Sequence, residues 1–297
     1  MLCRRPHEDG PRRNPDGGFP LTIRLSAALA LGLALALPAA AEAPRNPLQD
    51  GETWAELRGD VVGDRALRDG TGLIAFDAPY RAHDAAIVPI EIRETEDSDL
   101  DIRRLILVVD ENPAPVAAEF EFGERMGDLD LATRVRVNAY SNVRAIAETA
   151  DGTLYQVGRY VKASGGCSAP ALKDADAAMA ALGKMKMRLY EAAGQEAAPL
   201  DEGRAEAQVM IRHPNYSGLQ MNQVTRLYIP AHFVSEVEVR AGEDLVFRMT
   251  GGISISEDPS FRFRFDADGT EALDVRATDT EGEVFEQSFP VSRGQAS

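Results

Sequence analysis

Short apolar segments that alternate with polar residues recur through most of this 297-residue chain, and they restrict its fold more than any other feature. The clearest segment is 261–265, in which phenylalanine and arginine alternate strictly. A period of two places one set of side chains on each face of a β-strand, whereas a helix needs a period of about 3.6. Turn signals such as Asp151-Gly152 separate these segments at intervals of about 8–12 residues. The pattern predicts an all-β protein built from β-sandwiches.

One stretch differs in composition and divides the chain. Residues 170–194 are rich in alanine, methionine, lysine and leucine, which are good helix formers, and the apolar residues recur at near-helical spacing. We expect an amphipathic helix there, between a β-rich region at 46–167 and a second one at 205–294. The sequence therefore predicts two immunoglobulin-like β-sandwich domains joined by a helical linker at 168–204.

Residues 1–41 have the pattern of a secretory signal peptide. Arginines precede an apolar run at 25–37, and residues 38–41 supply the small side chains of a cleavage site. The run is too short for a transmembrane helix, which needs about 20 apolar residues. We expect cleavage after Ala41, export to the periplasm and no membrane attachment afterwards.

The chain is strongly acidic, with a formal net charge of −16 at pH 7. Removal of residues 1–41 would make it more negative, because that segment carries five arginines and three acidic residues. Such a charge disfavours binding to nucleic acid or to an anionic membrane and favours basic protein partners.

Motifs for catalysis or for binding a metal or cofactor are weak. We find no nucleophile elbow, zinc-protease helix, phosphate loop or dinucleotide fingerprint. His83, His213 and His232 are far apart in sequence and lack ligand spacing, so we expect ordinary turn and surface histidines. The sequence predicts no metal, no cofactor and no catalytic residue.

Cys167 is the residue that points to chemistry. Export would leave it as the single cysteine, because Cys3 lies in the signal segment. A lone thiol in an oxidising compartment suggests a reactive group or an intermolecular bond, although buried structural cysteines are common. Its neighbours at 164–168 are small, and Gly165-Gly166 favours an exposed, mobile backbone. We expect a thiol on a flexible arm, with Gly165 and Gly166 as its hinge.

Two secreted β-sandwiches, the first ending in Gly165-Gly166-Cys167, resemble the SoxY and SoxZ subunits of the sulfur-oxidation carrier joined in one chain. The first half resembles SoxY in residues 74–89 and 161–167. The second half resembles SoxZ in residues 209–218, 222–229, 251–254 and 261–265. Such fusions are similar to a carrier group associated with quinoprotein dehydrogenases.

The resemblance implies that Cys167 carries sulfur intermediates covalently and presents them to partner enzymes. Gly165 and Gly166 match the two glycines that precede the family's cysteine. Ser168 and Ala169 replace the two glycines that follow it, and the arm is internal to the chain. The implied partners are periplasmic redox enzymes of a Sox-type or quinoprotein dehydrogenase system, and the implied role is that of a carrier and not of an enzyme.

Two other hypotheses remain open. The chain could be a non-catalytic adapter or maturation protein for an exported quinoprotein dehydrogenase, which would use the sandwich faces and not need Cys167. It could also be a thiol-dependent enzyme, which would need a base close to the cysteine. No histidine is near Cys167 in the sequence, and Lys162 is the nearby cation that could favour its thiolate.

Overall fold

Two twisted, mainly antiparallel β-sheets form the body of the protein. The computed structural model describes residues 46–170, 175–190 and 203–291. The signal segment at 1–41 lies outside the described residues. Within the described residues, no helix is long and apolar enough to span a membrane.

The helices are α1 (Glu52–Val62) and α2 (Ala175–Ala180), with one 3₁₀ turn at Glu124–Met126. The strands are β1 (Leu67–Asp69), β2 (Ile74–Asp77), β3 (Val88–Glu94), β4 (Ile102–Val109), β5 (Val116–Phe122), β6 (Asp130–Val135), β7 (Ser141–Thr149), β8 (Leu154–Val161), β9 (Met185–Tyr190), β10 (Arg204–Ile211), β11 (Val234–Ala241), β12 (Asp244–Gly251), β13 (Ser260–Asp266), β14 (Ala272–Asp279) and β15 (Val284–Pro290).

Both sheets run through both halves of the chain. In the described part, one sheet has nine strands in the order β1-β8-β7-β4-β5-β12-β11-β14-β15. The other has six strands in the order β2-β3-β6-β13-β10-β9. The all-β sandwich prediction is confirmed. The sequence did not reveal that the two halves pair edge to edge, so that each sheet continues from one half into the other.

The junction is made by two antiparallel strand pairs. β5 pairs with β12, which places Phe120 opposite Met249. β6 pairs with β13, which places Leu131 opposite Phe263. Pairing at these two edges satisfies backbone groups that an isolated half would expose, and it removes two open edges that could otherwise aggregate.

Aromatic side chains fill the core beneath this junction. Phe120 of the first half lies 6.0 Å from Phe261 and 6.1 Å from Phe247 of the second half, measured between ring centroids. Phe247 also packs edge-on against Phe263 at 5.1 Å. All four rings are fully buried. Because tilted and edge-to-face aromatic pairs add about 0.5–1.5 kcal/mol each beyond area burial, this cluster holds the halves together.

The amphipathic helix expected at 170–194, within the linker at 168–204, is wrong over most of its described part. α2 is short, and Met185–Tyr190 forms strand β9, which pairs with β10 at the edge of the six-stranded sheet. Met185, Met187 and Leu189 face the core and alternate with exposed residues. The open edge of β10 offers backbone partners and an apolar surface, and these outweigh the helix propensity of the segment.

We predict that Phe120→Ala lowers the free energy of unfolding by about 3–5 kcal/mol, because it leaves a cavity between the halves. The two halves share their sheets, so the loss should appear in one cooperative urea transition. Fluorescence of Trp54, which packs on the first half, and far-UV circular dichroism should give the same midpoint.

The matched control is Phe289→Ala on the edge strand β15, where the ring is only partly buried and the loss should be smaller. Two separate transitions, with only one shifted by Phe120→Ala, would contradict a shared core.

Candidate functional site

Cys167 lies in a tight turn after β8, and its side chain points into the protein. The thiol-bearing residue is 0% exposed, whereas Ser164 and Ser168 on either side are exposed. The expectation of an exposed thiol on a mobile arm is therefore wrong for this conformation. The prediction failed because the local sequence is small and polar, while the groups that cover the thiol come from distant parts of the chain.

The two glycines fit the turn closely against the first half. The backbone N–H of Gly165 donates to the carbonyl of Asn138 at 2.8 Å, and that of Gly166 donates to the carbonyl of Val137 at 3.1 Å. A Cβ on Gly166 would lie 2.0 Å from the carbonyl oxygen of Ala85, so only glycine fits there. Gly165 has φ = 78°, a left-handed conformation that glycine adopts without strain. A hinge role for these glycines stays a prediction.

The loop at 214–232, here called the cover loop, closes over the turn from the second half. The hydroxyl of Ser217 donates to the carbonyl of Cys167, and the side-chain amide of Gln220 donates to the carbonyl of Ala169 at 2.8 Å. Gln220 also accepts from the backbone N–H of Ser217 at 3.2 Å, which fixes the two side chains relative to each other. Both halves of the chain therefore hold the cysteine turn.

Arg136 is the cation that faces the cysteine turn. It lies just after β6 and is 1% exposed. Its Nη1 donates to the carbonyl of Gly166 at 3.1 Å, and its Nη2 donates to the carbonyl of Asn215 in the cover loop at 3.2 Å. The sequence had suggested Lys162, but the Nζ of that lysine lies 4.6 Å from the ring centroid of Tyr80.

Burial raises the pKa of the Cys167 thiol to about 11, and the positive charge of Arg136 opposes that shift only in part. The thiol is therefore protonated near neutral pH in the closed conformation. Because the thiolate is the nucleophile, Cys167 is unreactive while the turn is closed.

Two histidines that we expected to be ordinary turn and surface residues lie together in the core. His232 Nε2 lies 2.8 Å from Asp279 Oδ2, His213 Nε2 lies 3.6 Å from the same oxygen, and all three residues are buried. The expectation fails for His213 and His232 and holds for His83, which is exposed. No local pattern marks this group, because β14 brings Asp279 to the histidines from far along the chain.

The same three residues could in principle ligate a metal, since their ligand atoms lie within 4.8 Å of one another. The hydrogen bonding argues for another role. His213 Nδ1 accepts the backbone N–H of Asn215 at 3.0 Å, so in the neutral ring Nε2 carries the proton and has no free lone pair. Asp279 accepts a hydrogen bond from His232 Nε2, whereas His213 Nε2 faces the same carboxylate at 3.6 Å, beyond hydrogen-bond distance. The group anchors the base of the cover loop.

The outer side of the cover loop exposes large apolar side chains. Val224 is 91% exposed, Leu227 is 68% exposed and Tyr228 is 67% exposed. Leu219 and Met221 on the same loop are also exposed. The segment that covers Cys167 thus carries an apolar surface on its other side.

We predict that Cys167 in the folded protein reacts with iodoacetamide at pH 7.5 at least about 100-fold more slowly than in the chain unfolded in urea. A pKa raised from an ordinary value of 9.0 to about 11 lowers the thiolate population at this pH roughly 100-fold. The double variant Ser217→Ala and Gln220→Ala should speed alkylation about tenfold, because two hydrogen bonds that close the turn are lost.

The control double variant is Ser235→Ala with Gln208→Ala, which removes one serine and one glutamine hydrogen bond in the second half, to the carbonyl of Thr278 and to the hydroxyl of Ser260, outside the cover loop. Its alkylation rate should match that of the wild type. Equal rates for the two double variants would show that the cover loop does not restrain Cys167.

Burial, together with the neighbouring His232, lowers the pKa of His213 to about 4. The unfolded histidine titrates near 6.5, so stability is full above that pH and is lost as the pH falls towards 4. We predict a loss of about 2–3 kcal/mol in the free energy of unfolding over this range from His213. His213→Gln should flatten this part of the pH profile, and His83→Gln should leave it unchanged. Parallel profiles for wild type and His213→Gln would contradict this assignment.

Comparisons with known proteins agree with the two-part organisation. A family model described as "Sulfur oxidation protein SoxY" matches residues 58–167, and one described as "Sulphur oxidation protein SoxZ" matches residues 195–290. A solved structure of the sulfur carrier protein SoxY from Chlorobium limicola f thiosulfatophilum is similar at 19% identity, over 36% of this chain and 89% of that chain, with a TM-score of 0.31. No curated protein matches the chain. The two family matches together show that the chain is a SoxYZ fusion, a sulfur-oxidation protein in which a SoxY domain is followed by a SoxZ domain.

Proposed function

We propose that this protein is exported to the periplasm and carries sulfur intermediates covalently on Cys167, presenting them to partner redox enzymes. One observation carries the proposal: the SoxY family match ends at residue 167, on the free cysteine of the described chain. A terminal cysteine of a carrier domain is the natural attachment point, since its thiolate forms S–S bonds that are stable yet exchangeable.

The buried thiol requires that the turn opens before it is loaded or unloaded. Opening breaks the hydrogen bonds that Ser217, Gln220 and Arg136 make to the turn, and those of the backbone N–H groups of Gly165 and Gly166. At about 0.5–1.5 kcal/mol each, these bonds sum to roughly 3–7 kcal/mol. The open state is then a minor population that a partner enriches by binding it preferentially.

The geometry supports a local opening and not a rearrangement of the fold. Ser164 and Ser168 already face solvent, so a rotation of the turn between them would bring the cysteine outward. While closed, the turn keeps the thiol and any attached sulfur away from solvent thiols and oxidants. This behaviour suits a carrier, which must hold its cargo between two enzymes.

The cover loop is the place where a partner would act. It contacts the cysteine turn through Ser217 and Gln220 and exposes Val224, Leu227 and Tyr228 on its other side. Exposed apolar clusters of this kind are typical of protein-binding surfaces. An enzyme of the sulfur-oxidation system that binds to these side chains would loosen the cover loop. It would thereby gain access to the thiol of Cys167.

The burial of Cys167 also favours a second function. A thiol that is 0% exposed, with its pKa raised to about 11, suits a structural cysteine in an adapter or maturation protein for an exported quinoprotein dehydrogenase. In that case binding through the sandwich faces or the cover loop would suffice, and Cys167→Ser would retain function.

The test is the intact mass of the protein purified from its native host grown on a reduced sulfur compound such as thiosulfate, before and after reductant. We expect a reductant-sensitive sulfur adduct on Cys167, its absence in Cys167→Ser, and loss of sulfur oxidation in that variant. The same measurement should give a chain that starts at Glu42. An unmodified thiol together with full function of Cys167→Ser would reject the carrier role in favour of the adapter.

A further inference from the structure

Arg136 is a buried guanidinium that is not fully paired. It is 1% exposed, and its two Nη atoms donate to the carbonyls of Gly166 and Asn215. Its buried Nε atom has no hydrogen-bond partner, and none of the described residues forms an ion pair with it at salt-bridge distance. Burying a charge without a paired anion is unfavourable by several kcal/mol, so the arrangement calls for an anion.

The contacts that Arg136 makes do not explain its charge. Carbonyl oxygens need only a neutral donor such as an amide, and an asparagine or glutamine side chain meets that need elsewhere in this network. Glu257, Cys167 and Asp84 act on Arg136 through electrostatics. Of these three, Cys167 alone sits on the peptide whose carbonyl Arg136 binds, and it alone could acquire a negative group by covalent loading.

We propose that Arg136 is the binding residue for a negatively charged sulfur group on Cys167, such as a persulfide or thiosulfonate anion. The inference rests on the proposed function and deepens it by naming the residue that recognises the charge of the cargo. Arginine suits this role, because its charge is permanent and its planar fork matches oxyanions. The loaded turn is then held closed more firmly than one carrying a neutral group.

The loading chemistry can be run without partner enzymes. The Cys167 thiolate attacks an inner sulfur of tetrathionate, a new S–S bond forms, the central S–S bond of tetrathionate breaks, and thiosulfate leaves. The thiol proton goes to the buffer, and Cys167 carries a thiosulfonate anion. Methyl methanethiosulfonate gives the neutral control: the thiolate attacks its divalent sulfur, methanesulfinate leaves, and Cys167 carries a methyl disulfide.

The measured quantity is the difference in Tm between the anionic and the neutral adduct. We expect the anionic adduct of the wild type to melt roughly 3–6 °C above the neutral one, and this difference to vanish in Arg136→Met. Reductant should remove the anionic adduct about tenfold more slowly from the wild type than from Arg136→Met. Comparing two adducts within each variant cancels any general loss of stability or loosening of the turn.

Arg134→Met is the matched control. Arg134 is two residues away and also donates across the junction, to the carbonyl of Asp258, but it is only partly buried and does not contact the cysteine turn. This variant should keep the wild-type difference between adducts. If Arg136→Met does not fold, Arg136→Lys keeps the charge without the fork, and the difference should become smaller while keeping its sign.

An equal difference between adducts in the wild type and in Arg136→Met would overturn the proposal and leave Arg136 as a clamp between the turn and the cover loop. If neither reagent reaches the folded protein, loading is done in urea before refolding, and the same comparison decides. An Arg136-dependent difference in a protein that carries no adduct in its host would support the anion site and reject the carrier role. An adduct on Cys167 in the host, together with a Tm difference that does not depend on Arg136, would support the carrier role and reject the anion site.

Discussion

The antiparallel pairing of β5 with β12 and of β6 with β13 is the constraint on which the rest of the structure depends. These pairs join two sandwiches into two continuous sheets. Phe120 packs against Phe247 and Phe261, so the hydrophobic cores of the two halves are continuous. The pairing also fixes the second half against the end of β6, where Arg136 follows. The cover loop can reach the cysteine turn only because this junction sets the two halves in register.

Around Cys167 the protein stabilises an inactive thiol. Desolvation disfavours the thiolate, the turn is hydrogen-bonded to both halves, and the base of the cover loop is anchored by His232 and Asp279. A catalytic cysteine is usually arranged the other way, with an exposed sulfur and a base or helix terminus that lowers its pKa. The closed conformation therefore lacks the features that activate a catalytic cysteine.

Much of the fold could be predicted from the sequence, because alternation is a local signal. The alternation at 261–265 became the centre of β13. The site could not be predicted in the same way. Ser217, which covers Cys167, lies 50 residues away in sequence, and Asp279 lies 47 residues from His232. Strand β9 was mistaken for helix because its partner edge on β10, and not its composition, determines its conformation.

The cover over Cys167 belongs to the same polypeptide as the cysteine, and this has a consequence for mass action. In a carrier made of two separate subunits, the covered fraction of the thiol would depend on subunit concentration and would fall on dilution. Here the encounter between the cysteine turn and the cover loop is intramolecular, with an effective concentration set by the chain itself. The thiol of Cys167 is therefore shielded to the same extent in a dilute compartment as in a crowded one, and every molecule carries its own cover.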